Sequence, residues 1–368
     1  MSAEASHKNP RIFVTDCEGP ISKNDNAFEL TSSLVPDGGN FFSLISKYDD
    51  VLADVVKKPG YKAGDTLRLI LPFLKAHGAT NDKIRNYSSR NVLLVPGAKD
   101  TLTFVSKLMP SFIVSTSYEQ YISSLCNLTG FPFENTYCTR LSLDKYDIPA
   151  EETERLKELQ RKIAALPMIE IPKNANSVSK FSRRDQETIR RLDDIFWQII
   201  PRMESGRMLE EVNPVGGSEK AKAVRDIVEK LGCSLDRVMY VGDSITDVPP
   251  LRLVRESGGL SVSFNGNDYA VRESDVAVLS GDTTVTSVLA EAFSRQGKEG
   301  VFRLVEEWGS PGLKKFCVSS ELRERMFMLF PEGFPQVERV TDGNLERLKR
   351  ESSVFRKTVR GEAIGKLG

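Results

Sequence analysis

The sequence predicts an α/β protein, a parallel sheet with helices on both faces, into which a helical segment is inserted. Three observations lead there. From Ser218 onward helix and strand patterns alternate, which implies parallel strands joined by crossover helices. A short β-like run, Arg11–Thr15, ends on an acidic residue followed shortly by a glycine. Between that run and the next strand pattern, residues 24–91 read as helical, broken at Pro36-Asp37-Gly38-Gly39 and at Pro59-Gly60.

The elements follow in order. Leu67, Ile70, Leu71 and Leu74 recur at helical spacing inside the first helical segment. After Pro96-Gly97, Ala98–Leu108 reads as a helix, and Ser111–Val114 as a strand ending at Ser115. Residues 151–166 place Leu156, Leu159, Ile163 and Leu166 on one face; residues 183–200 do the same with Ile189, Leu192, Phe196 and Ile199. Together they predict a helical hairpin, read first as a surface insertion packed on the body and second as a cap over an active site. A helix over 218–231, the strand Arg237–Val241, a helix near 248–256 and the strands Leu260–Phe264 and Asp275–Leu279 complete the alternation. The division is therefore 1–23, 92–150 and 206–295 for the sheet core, 24–91 and 151–205 for the insertions, and 296–368 for a charged helical extension. Within the extension, Met326 to Phe330 is an apolar cluster suited to core packing or to a homodimer contact.

Composition narrows the function. Lys plus Arg and Asp plus Glu are both 51, so there is no global basic field to draw nucleic acid or an anionic membrane. The cysteines (Cys17, Cys126, Cys138, Cys233, Cys317) are odd in number and form no CxxC pair, against a disulfide framework or a zinc ribbon. His7 and His77 are the only histidines, too few for a multi-histidine metal site. The start lacks a signal-peptide pattern and no run of about 18 apolar residues occurs, so a cytoplasmic protein is expected.

Ligands of open α/β sheets bind beyond the carboxyl ends of the strands. There this sequence places Asp16, Cys17, Glu18 and Gly19 after the first strand, Ser115 after the second, and Gly242, Asp243 and Asp247 after the strand at 237–241, with Lys220 opening the preceding helix. Each alone has an ordinary reading: a capped turn, a strand end, a solvated lysine, a helix-capping aspartate. Together, and in this order, they suit phosphoryl transfer. A carboxylate can be the covalent nucleophile, and a second one two residues on can shuttle a proton. Mg²⁺ prefers such oxygen ligands, and a lysine and a hydroxyl can balance charge on the phosphoryl oxygens.

These residues resemble the four motifs of the haloacid dehalogenase superfamily phosphatases, and among them the phosphoserine phosphatases. Asp16-Cys17-Glu18-Gly19 is similar to the first motif, Phe112-Ile113-Val114-Ser115 to the second, Lys220 to the third (Lys222 fits less well), and Gly242-Asp243 through Asp247 to the fourth. The resemblance spans about 11–150 and 206–290. It implies a Rossmann-like core and a helical cap over 24–91. It implies Asp16 as nucleophile, Glu18 as acid and base, and Ser115 and Lys220 as phosphate-binding residues. It implies Mg²⁺ held by Asp16, the Glu18 carbonyl and Asp243, with Asp247 assisting. It further implies that Asp25 and Arg68 in the cap read the ammonium and carboxylate of a small phosphorylated metabolite such as phosphoserine. Pro20 and Thr116-Ser117 depart from the family pattern near the phosphate, and the hairpin and extension have no counterpart in a minimal phosphoserine phosphatase. Two further readings stand: a phosphotransferase or mutase that excludes water by tight cap closure, and a non-catalytic subunit of a larger complex. The latter follows from a likeness to archaeal members of the superfamily described as an energy-converting hydrogenase subunit.

Overall fold

The computed structural model describes residues 9–316 and 318–367; His7 and Cys317 lie outside the described residues. Among the described residues seven strands form one sheet: β1 (Ile12–Thr15), β2 (Ser111–Tyr118), β3 (Thr136–Thr139), β4 (Val238–Gly242), β5 (Leu260–Phe264), β6 (Val276–Leu279) and β7 (Gln336–Arg339). Their order is β3-β2-β1-β4-β5-β6-β7. All pairings are parallel except that of β7, which runs antiparallel to β6. The extension therefore contributes a strand as well as helices, a correction to its helical reading. β7 is short and polar with only Val337 buried, too little pattern to read in advance.

Strand alternation sorts the side chains of β1 between two layers. Phe13 packs with the helices α4 (Ala98–Leu108), α5 (Glu119–Thr129) and α11 (Thr284–Glu306, broken at Gly297). Ile12 and Val14 pack with α8 (Ser218–Lys230), α9 (Val248–Glu256) and α10 (Asp268–Glu273). Both sheet faces are thus covered.

A third core lies beyond the sheet. It is built from α1 (Asn26–Leu34), α2 (Gly38–Asp50), the short turns Thr66–Leu69 and Leu71–Ala76, and α3 (Asn81–Arg90). The hairpin helices α6 (Ala150–Ala164) and α7 (Arg183–Asp194) join this core and not the sheet body. The reason is supply of apolar surface. The hairpin's stripes, Leu156, Leu159 and Ile163 with Ile189, Leu192 and Phe196, need a partner, and the faces of the sheet are occupied. Phe196 stacks on Tyr48 at 5.9 Å between ring centroids and meets Phe73 edge-on at 6.1 Å. Trp197 donates its indole N–H to the Tyr48 hydroxyl at 2.8 Å, and Gln160 donates to the Pro36 carbonyl at 2.8 Å.

The extension continues through α12 (Ser320–Leu329) and α13 (Leu345–Arg360). The Met326–Phe330 cluster splits: Met326 is buried in the sheet core, whereas Met328 is 75% exposed. Leu348 on α13 packs against Val271 and Ala277, and Leu367 ends the described chain inside the helical core. Among the described residues no helix is long and apolar enough to cross a membrane.

Candidate active site

β1 and β4 are neighbours from which the chain departs in opposite directions along the sheet, so a crevice opens at their carboxyl ends. Asp16 leaves β1 there and donates its backbone N–H to Val241 on β4 at 2.8 Å. Asp243 leaves β4 one residue beyond Gly242. Carboxylate oxygens of Asp16, Asp243 and Asp247 lie within 4.8 Å of one another, all buried. Gly19 makes this approach workable: its φ is +106°, and a Cβ there would stand 2.1 Å from Asp243 Oδ2.

Lys220, fully buried in the first turn of α8, bridges two of these carboxylates. Its Nζ is 2.7 Å from Asp16 Oδ2 and 2.8 Å from Asp247 Oδ1. Asp247 also accepts from the Tyr240 hydroxyl at 2.7 Å and from the backbone N–H groups of Asp243 and Ser244 at 3.0 and 3.1 Å. Both of its oxygens are therefore engaged in holding the turn. Burial raises the Asp247 carboxyl, but Lys220 and these donors outweigh it and hold it below its usual value. Asp16 has fewer donors. Burial pushes it up to about 8 against the pull of Lys220, with Asp247 and Asp243 adding to the rise.

Glu18 turns towards the helical domain and accepts the Asn26 N–H at 2.7 Å. Burial, with Asp25 nearby, raises its carboxyl well above the usual range, which suits a proton donor. Asp25 caps α1 by accepting the Phe28 N–H at 2.9 Å, and burial raises it too. Pro20 sits in a turn closed by Ile21 N–H on the Cys17 carbonyl at 2.9 Å. β2 runs past Ser115 to Tyr118, three residues beyond the strand end expected at Ser115, and its register against β3 shifts between Val114 and Tyr118. This irregularity turns Ser115, Thr116 and Ser117 all towards one cavity of about 100 Å³ that Asp16, Glu18 and Asp25 also line. The hydroxyls of Thr116 and Ser117 are buried there without a partner.

Arg68 is not among the residues lining that cavity. Its guanidinium pairs with buried Asp65 at 2.5 Å and donates to the Leu209 carbonyl at 2.8 Å, tying the first helical segment to the short helix Arg207–Glu211. The cations that do line the cavity are Arg356 and Arg360 of α13, neither foreseen from sequence. Leu348, Ser352, Arg356 and Arg360 recur at every fourth position, one stripe facing inward. Ser352 donates to the Gly266 carbonyl at 2.5 Å and so seats the stripe. Arg356 and Arg360 both pair with Asp243 Oδ2, the latter at 3.0 Å. Arg360 also donates to the carbonyls of Lys23 and Asn24. The available sequence signal was the fourfold spacing, but arginine on a charged helix ordinarily reads as solvated.

Hard, closely spaced carboxylate oxygens fit a hard divalent cation. Asp16, Asp243 and Asp247 are the group that could hold it, and Asp247 is the one with most donors on its oxygens.

The structure of gene product AF1437 from Archaeoglobus fulgidus matches with a TM-score of 0.78 at 28% identity, covering 98% of this chain and 99% of that one. A substrate-bound phosphoserine phosphatase complex matches with a TM-score of 0.43 at 13% identity, covering 77% of this chain and 99% of that one. No curated protein matches. The sequence profile of the haloacid dehalogenase-like hydrolases matches residues 67–275, more than half of the 368 residues, and the chain belongs to that family.

Proposed function

We propose that the protein is a Mg²⁺-dependent phosphomonoester hydrolase that works through an aspartyl-phosphate on Asp16. The observation that carries the reading is the convergence of Asp16, Asp243, Asp247 and Lys220 on one crevice, with Glu18 lining the same cavity. Asp16 attacks phosphorus and the phosphorus–oxygen bond to the leaving group breaks. Glu18, whose carboxyl burial raises well above its usual range, gives its proton to the departing oxygen. Glu18 then takes a proton from a water that attacks phosphorus, releasing phosphate and restoring Asp16. Lys220, Ser115 and the unpartnered hydroxyls of Thr116 and Ser117 hold phosphoryl oxygens. Mg²⁺, held by Asp16 and Asp243, supplies charge neutralisation at the phosphoryl group. The substrate is a small phosphorylated metabolite, consistent with the size of the cavity.

The test is phosphate release from a panel of phosphomonoesters, phosphoserine included, with Mg²⁺ and with EDTA. Metal-dependent release that disappears in Asp16→Asn is the expected result. Release by Asp16→Asn near the wild-type rate would remove Asp16 as nucleophile.

A further inference from the structure

We infer that α13 supplies the substrate-reading cations of this site: Arg356 and Arg360 bind a carboxylate carried by the substrate in addition to its phosphoryl group. The inference rests on the hydrolase reading for the phosphoryl end and names what the other end must be.

The cavity wall is acidic. Asp16, Glu18, Asp25, Asp49, Asp50 and Asp243 line it, and the only cations among the described lining residues are Arg356 and Arg360. Their side chains are 3% and 4% exposed. Lysine and arginine are almost never buried so deeply unless paired. Here both share one oxygen of Asp243; Arg360 spends its other nitrogens on the Lys23 and Asn24 carbonyls, whereas Arg356 Nε is buried with no acceptor. Arg356 lines the cavity, so its unsatisfied buried donor belongs to the cavity wall, where an acceptor on a ligand would remove the cost of leaving it unpaired.

A carboxylate fits that guanidinium better than other groups. It is planar and accepts two parallel N–H bonds from a guanidinium fork. The need for an anion grows when Asp243 ligates a cation, because its oxygen then no longer serves both arginines and an uncompensated buried charge is costly. Arg68, tied to Asp65 and Leu209, stands aside from this task.

The experiment compares two esters of similar size and branching, phosphoglycolate and isobutyl phosphate, by isothermal titration calorimetry with Mg²⁺ present. The Asp16→Asn background prevents turnover. The expected result is tighter binding of phosphoglycolate by about 10-fold or more, the scale of a charge-assisted hydrogen-bonded pair. That preference should fall towards unity in Arg356→Ala and in Arg360→Gln. Arg356→Lys, which keeps the charge and loses the fork, should retain part of it and carries the test if the alanine variant fails to fold by circular dichroism. Equal binding of the two esters by the parent, no binding of either, or an undiminished preference in the folded variants would overturn the inference. So would variants that only tighten Mg²⁺ binding, which would make the arginines guards of Asp243. Phosphate release by the Asp16 protein tests the hydrolase reading separately.

Discussion

Replacing Lys220 by methionine keeps the length of the side chain and removes its charge, leaving Asp16 and Asp247 facing each other in a fully buried site. Removing one partner of a buried ion pair typically costs about 3–5 kcal/mol, because the remaining charge is uncompensated. Unfolding entropy of roughly 2.1 cal/mol/K per residue over 368 residues makes each kcal/mol worth about 1.3 °C. Lys220→Met should therefore melt about 4–7 °C below wild type in EDTA. Mg²⁺ should restore more stability to the variant than to wild type, because the cation replaces the missing positive charge beside Asp16. Differential scanning fluorimetry with and without Mg²⁺ reads both quantities. A variant melting within about 1 °C of wild type in EDTA would refute the reasoning, since the carboxylates would then be compensated by something other than Lys220.

Two further outcomes are expected. Gly19→Ala would drive a Cβ into Asp243 from a left-handed backbone, so Mg²⁺ affinity by calorimetry should fall at least about 10-fold; unchanged affinity would separate Gly19 from the metal carboxylate. Asp49, buried and accepting the Tyr61 hydroxyl at 2.5 Å and the Gly64 N–H at 2.8 Å, is pushed up to about 7, chiefly by burial. The folded state therefore holds this proton more tightly than the unfolded chain, and its contribution to stability is full below about pH 4 and is lost as pH rises to about 7. The slope is at most about 1.4 kcal/mol per pH unit. Urea unfolding from pH 5 to 8 should show a shallower pH dependence for Asp49→Asn, and parallel curves would contradict the assignment.

What the sequence revealed was what local pattern encodes. Strands β4 and β6 announce themselves by buried apolar runs and β5 by the alternation of Leu260, Val262 and Phe264 with serines, and the residues at their ends follow from that placement. Ser115 was found although its strand runs on, because an irregular strand keeps the apolar signature only as far as Val114. Long-range choices were invisible. Nothing local tells a pair of amphipathic hairpin helices which apolar surface is vacant, so the sequence leaves α6 and α7 open between a surface insertion packed on the body and a cap. Arg68 was assigned by motif position, yet Asp65, three residues before it, claims the guanidinium. Arg356 and Arg360 meet Asp243 across more than 110 residues of sequence, and only the docking of α13 through Leu348 and Ser352 brings them in.

The way the helical domain is threaded sets its mechanics. The chain passes between sheet and helical domain near 16–26, 90–98, 139–150 and 212–218, and Leu367 returns to the helical core after α13 has docked on the sheet. A lid hung from two neighbouring linkers can swing wide. One anchored at four crossings and clasped by a tail has little more than a rocking motion left, and every increment of rocking pulls on the segment between Arg360 and Leu367. The helix that places Arg356 and Arg360 in the cavity wall is thus also the one whose continuation ties the helical domain to the sheet.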